Sequence, residues 1–144
     1  MKATLKSLRE TKANPAVSIF VKTHRAHPAN EQDPIALKNQ LKVVEDRLNK
    51  EYDKSTATTI LDNIHAKTNY NLDTLAIFAS TDDVQIVRMP IDTTERVVIS
   101  DSFATRDLVR DMASAVHYYT VVLTRDNSRL IEASNDRVIR EFDK

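Results

Sequence analysis

Two histidines bracket an arginine in the run Lys22-Thr23-His24-Arg25-Ala26-His27, the densest cluster of chemistry-capable side chains in the chain. His24 and His27 form an H-x-x-H pair. Imidazole binds metals and moves protons near neutral pH. A zinc site needs three or four donors, so a third would have to come from Glu31, Asp33 or the distant His65. No Ser or Asp is placed by sequence to complete a nucleophilic triad. A His-dependent hydrolase therefore remains an alternative that rests on His24 and His27 alone. The same cluster is cationic. Lys22, His24, Arg25 and His27 suit phosphate, which Arg can grip with two parallel donors. Lys38 and Lys42 lie four apart and extend that patch if they face it. They also fit the solvated side of a helix, because Glu45, Asp46 and Glu51 follow and alternate the sign. No cofactor is predicted.

The other polar clusters read as structural. Thr56 to Thr59 and Ser100 to Ser102 sit where helices start, and hydroxyls there cap free backbone N–H groups. Asp82, Asp83, Asp92 and Asp101 fit turns and caps before they fit a metal.

Composition removes whole classes of mechanism. The 144 residues contain no glycine and no cysteine. Average usage would supply about ten glycines. Without them no phosphate-binding loop, dinucleotide fingerprint or nucleophile elbow can be written. Without cysteine there is no disulfide, thiolate metal site or Cys nucleophile. Turns that need positive φ must use Asn or Asp, and Asp82-Asp83, Asp126-Asn127 and Asn135-Asp136 stand where hairpins are wanted. Lys plus Arg and Asp plus Glu number 21 each. Zero net charge argues against a dedicated nucleic-acid module but leaves room for a local basic patch. No apolar run approaches about 18 residues and the N-terminus lacks a signal-like apolar core, which predicts a cytoplasmic protein with no membrane contact.

The elements that must hold the basic cluster follow from periodicity. Leu5 and Leu8 mark a short helix over Thr4 to Lys12, stopped by Asn14-Pro15. Ala16 to Thr23 is a strand rich in β-branched and aromatic residues. His24 to Asp33 is a polar loop. Asp33 caps a helix over 34–52 with Pro34 in its first position. Ile35, Leu37, Leu41, Val44 and Leu48 repeat at helical spacing. Ser55 or Thr56 starts a second helix over 56–69, with Ile60, Leu61 and Ile64 on one side and Tyr70 beyond it. Leu75 to Ala79, Val84 to Met89 and Arg96 to Ser100 are strands. A helix over 104–116 follows Asp101 or Ser102 and aligns Leu108, Val109, Met112 and Val116. Tyr118 to Thr124, Arg129 to Ala133 and Val138 to Phe142 form a β-meander. The fold class is α+β, a mostly antiparallel sheet with helices packed on it. The long helix buries Leu37, Leu41, Val44 and Leu48 against Val17, Ile19 and Val21.

The order strand, His24-Arg25-Ala26, Pro28, then Gln32 to Asn39 resembles the start of the bacterial branches of the archaeo-eukaryotic class-1 peptide chain release factor family, the third branch in particular. Its members open with a strand like SIYLPT, then HRA, a Pro-containing loop, QDPIRLKN and a helix; Ser18 to Thr23 stands for the strand here. A second stretch also matches. Tyr118 to Leu123 and Arg129 to Glu132 are similar to the YYVLALS and RLFEG that open the family's second domain. The resemblance implies an α+β first domain over 1–117 and the incomplete opening strands of a second over 118–144. It implies a ribosome- or rRNA-associating role, for which the basic residues Lys22, His24, Arg25, His27, Lys38 and Lys42 are, by their charge, the expected contacting set. It implies no catalysis. The family's hydrolytic Gly-Gly-Gln cannot exist without glycine, and the codon-reading Asn-Ile-Lys-Ser has only Asn63-Ile64-His65 as its nearest string. The alternative to ribosome association is a protein-interaction domain without RNA contact, which zero net charge favours. The final strands expose apolar surface and an open edge if nothing covers them, and a homodimer through them is expected.

Overall fold

The computed structural model describes residues 2–64, 71–135 and 137–143. The architecture is α+β, with two separate antiparallel sheets and four helices among the described residues. The first sheet holds β1 (Ala16–Lys22), β2 (Thr74–Ala79), β3 (Val84–Met89) and β4 (Arg96–Ser100) in the order β3-β2-β1-β4. The central pair, β1 and β2, is in register from Val17 opposite Ala79 to Lys22 opposite Thr74.

Alternation along these strands explains the layering. Val17, Ile19 and Val21 of β1 and Leu75, Ile77 and Ala79 of β2 point to one face. There they meet α2 (Asp33–Glu51) through Leu37, Val44 and Leu48, and α3 (Lys54–Asn63) through Ala57 and Ile60. Phe20, Ala76 and Phe78 point to the other face and meet Leu8 of α1 (Lys2–Glu10) and Leu108 of α4 (Arg106–Ala113). Phe20, Phe78 and Phe103 stack edge to face with ring centroids 5.8 Å apart. The sheet is thus covered on both sides, and all of β1 but Lys22 is buried. Each buried aliphatic or aromatic side chain of this kind stabilises by about 1.5–3 kcal/mol. Buried Ser18 is satisfied: its Oγ accepts the Ala104 N–H at 2.9 Å.

The second sheet is a meander of β5 (His117–Leu123), β6 (Ser128–Ser134) and β7 (Arg137–Asp143) in the order β5-β6-β7. It does not join the first sheet. Arg137 Nη2 donates to the Arg88 carbonyl at 2.8 Å, so the two touch without sharing a ladder. Asn135, in the β6–β7 turn, has φ 49, the left-handed region that the glycine-free chain fills with Asn. No described helix is long and apolar enough to cross a membrane.

The elements differ from their sequence expectations in particular places. Asp33 does not cap α2. It already has helical φ and ψ, Gln32 takes the cap position, and the Asp33 carboxylate is directed backwards into the loop. The loop itself contains a 3-10 turn, Ala29–Gln32. Leu41 is only partly buried at the rim of the core, and Ile35 is exposed. Helix α3 starts at Lys54 after Asp53, ahead of Ser55 and Thr56, and Ile64 is already extended. The expected continuation over 65–69 and Tyr70 lie outside the described residues. The last helix is shorter than 104–116. Phe103 and Ala104 pack on the sheet as loop residues, while Arg96 holds Asp107 in the first turn of α4. Val109 is exposed because Leu108 and the buried carboxylates of Asp107 and Asp111 occupy the inner side of α4, and exposed Val116 lies beyond the helix.

Candidate functional site

The end of β1 delivers the basic loop to the start of α2, and Asp33 is the point where they lock. Its side chain is 1% exposed. One oxygen accepts the His24 backbone N–H at 2.9 Å and the Asn71 amide at 2.8 Å. The other lies 2.8 Å from His24 Nδ1. A carboxylate there makes Nδ1 the donor, fixes the ring and leaves Nε2 as the free nitrogen of a half-exposed imidazole. Such an oriented imidazole can accept a proton or a hydrogen bond at Nε2.

A second lock lies beside it. The Arg25 fork grips Asp73, with Nε to Oδ1 at 3.0 Å and Nη2 to Oδ2 at 2.9 Å. This two-point contact holds the Asp73 carboxyl below the ordinary carboxylate range. Thr23 ties the same two segments together: its N–H donates to the Asp73 carbonyl at 3.0 Å and its hydroxyl to the Leu72 carbonyl at 2.7 Å. Residues 23–25, 33 and 71–73 therefore form one hydrogen-bonded clasp at the end of the sheet.

Every cation of the loop has an acidic partner. Lys22 Nζ is 3.3 Å from Asp92, His24 meets Asp33, Arg25 meets Asp73, and His27 Nδ1 is 3.2 Å from Glu31. The H-x-x-H pair does not converge. His24 turns to Asp33 and His27 to Glu31, and among the described residues no group of three His, Cys, Asp or Glu side chains can hold a metal ion. His65, the distant donor considered for that site, lies outside the described residues. Lys38 and Lys42 stand apart from the loop on the solvent side of α2, exposed and without an ion pair among the described residues. They lie about one and a half and two and a half turns from Asp33. Exposed Ile35 and Val43 are on the same helix.

The sequence did not reveal Asp33 as the holder of His24, nor Asn71 and Asp73 at all. These contacts span 9, 38 and 48 positions and no periodic pattern encodes them. A second acid–base cluster was also silent. On the meander, Glu132 takes His117 Nε2 at 2.8 Å and the Arg140 guanidinium. His117 first, and Arg140 after it, hold the Glu132 carboxyl low, and Glu132 in turn raises Arg140.

No family model matches the chain, and no curated protein matches it. Among solved structures it is similar to an archaeal translation termination factor, aRF1, at 17% identity and a TM-score of 0.47. The match covers 99% of this chain and 43% of that one, so the chain spans less than half the length of that protein.

Proposed function

We propose that this chain is a non-catalytic, ribosome- or rRNA-associating part of a release-factor-like translation or rescue protein, acting in the cytoplasm. The observation that supports it is the clasp. The residues of the family-like string from Thr23 to Asn39 hold one another through Asp33, so the string specifies a defined local structure. On this reading 1–117 is a first domain and 118–144 opens a second, whose strands offer a surface for self-association.

Ion pairing within the loop supports a contact centred on α2. Arg25, Lys22, His24 and His27 spend their charge on Asp73, Asp92, Asp33 and Glu31. Lys38 and Lys42 keep theirs, so they should carry the phosphate contact, with the loop cations joining only where phosphate displaces a carboxylate. Co-sedimentation with ribosomes across a salt series tests this. The double variant Lys38→Glu, Lys42→Glu should bind more weakly and flatten the dependence of log affinity on log salt by roughly 1–2. An unchanged slope and affinity would remove the electrostatic mechanism.

The pairing of every loop cation favours a second reading, a protein-interaction domain without RNA contact. Capture from nuclease-treated and untreated lysate separates the two. Partners that survive nuclease support protein recognition, and partners lost with it support RNA.

A further inference from the structure

We infer that β5 is a self-pairing edge, so that two copies join antiparallel through it into one six-stranded sheet with its two-fold axis at Thr120. This rests on the reading of the last strands as an association surface and is independent of ribosome binding. The hairpin closes with the Thr124 N–H on the Asn127 carbonyl, and the Asn135 N–H reaches the Val116 carbonyl. With the register of β5 on β6, these two bonds fix the alternation: Tyr118, Thr120 and Val122 direct their backbone groups to β6. His117, Tyr119, Val121 and Leu123 therefore direct theirs outward, along an edge that no described strand covers.

The two free edges of the meander differ in charge. Strand β7 carries Arg137, Arg140, Glu141 and Asp143, the kind of charge that discourages edge pairing. Strand β5, His117-Tyr118-Tyr119-Thr120-Val121-Val122-Leu123, carries no Asp, Glu, Lys or Arg, and all but Val122 of it is exposed. Its sequence is also complementary to itself. With Thr120 opposite Thr120 of the second copy, Tyr119 meets Val121 on one face and Tyr118 meets Val122 on the other, each pair occurring twice about the axis. These are the aromatic–β-branched pairs that stabilise antiparallel strands. The same register sets Tyr119 opposite Val121 and His117 opposite Leu123 as hydrogen-bonded pairs. All four outward residues of each strand then find partners, with Thr120 at a non-hydrogen-bonded pair, where a two-fold axis can pass. A second copy satisfies this edge along its whole length.

Light scattering on the full chain at micromolar concentrations, beside two variants, tests the assignment. Tyr119→Pro deletes an outward N–H and no bond to β6, and proline is tolerated on that side of an edge strand. Val121→Lys puts two charges beside the junction. The parent should be a dimer, and both variants should be monomers with unchanged circular dichroism. A variant that loses the fold is replaced by amide exchange on the parent, where Tyr119 and Val121 should gain protection as concentration rises and Glu141, on the outer edge of β7, should not. A monomeric parent, a dimer that survives both substitutions, or open-ended assemblies would each overturn the proposal. None of these outcomes bears on Lys38 and Lys42, so the ribosome reading stands or falls separately.

Discussion

The two sheets are built from the same kinds of residue and live in different surroundings. Strands β1 and β2 read Ala-Val-Ser-Ile-Phe-Val and Thr-Leu-Ala-Ile-Phe-Ala, and helices cover both faces. Strand β5 reads His-Tyr-Tyr-Thr-Val-Val-Leu, equally β-branched and aromatic, yet Leu123 is 75% exposed and Val121 61%. Strand propensity decides that a segment is extended. It does not decide what lies on top of it. In the first sheet α1 and α4 close one side and α2 and α3 the other, so the apolar content of β1 and β2 becomes stability. In the second the same content stays in solvent.

The largest expected effect sharpens that contrast. Phe78→Ala removes a ring stacked between Phe20 and Phe103 and should lower stability by about 3–5 kcal/mol, read as a shift of the denaturant midpoint. Leu123→Ala, in the open sheet, should change it by less than about 0.5 kcal/mol. Similar losses at both positions would break the comparison and mean that the meander is covered in solution.

Next in size is the clasp. Asp33→Ala removes the acceptor shared by the Asn71 amide and the His24 backbone N–H, at about 1–3 kcal/mol for a buried hydrogen bond lost on one side. Urea unfolding and the chemical shifts of the His24 ring should report it together. A midpoint that does not move would show that the loop is held without Asp33.

The smallest effect concerns Asp73. Its folded-state carboxyl sits below the ordinary range because Arg25 grips it, so its contribution is present above about pH 4 and disappears as pH falls through the folded value. The pair is about two-fifths exposed, which limits it to about 1 kcal/mol or less. Asp73→Asn should therefore trail the parent slightly at neutral pH and converge with it in acid. A gap that persists at low pH would point to packing and not charge.

The strands and the long helix were legible because alternation and 3.6-residue spacing are strong where one face is buried, as at Leu37, Val44 and Leu48. The early start assigned to the last helix, after Asp101 or Ser102, fails because Phe103 and Ala104 pack on the sheet as loop and not as helix. The basic cluster was legible as charge, and its acidic partners were not. Composition counts Lys22, His24, Arg25 and His27, whereas their carboxylates arrive from Asp92, Asp33, Asp73 and Glu31 through the fold. Asp33 illustrates the difficulty: an Asp before Pro at a helix start has the signature of a cap, and the same side chain can as readily reach back to the preceding loop.

That clasp also has a hereditary meaning. His24, Asp33 and Asn71 share one buried carboxylate, so a lineage that replaces one of the three leaves the others with a broken contact and must replace them too or carry the defect. They should be inherited as a block. A spaced signature of His, then Asp nine positions on, then Asn thirty-eight after that would trace kinship across chains whose intervening letters have long since drifted apart.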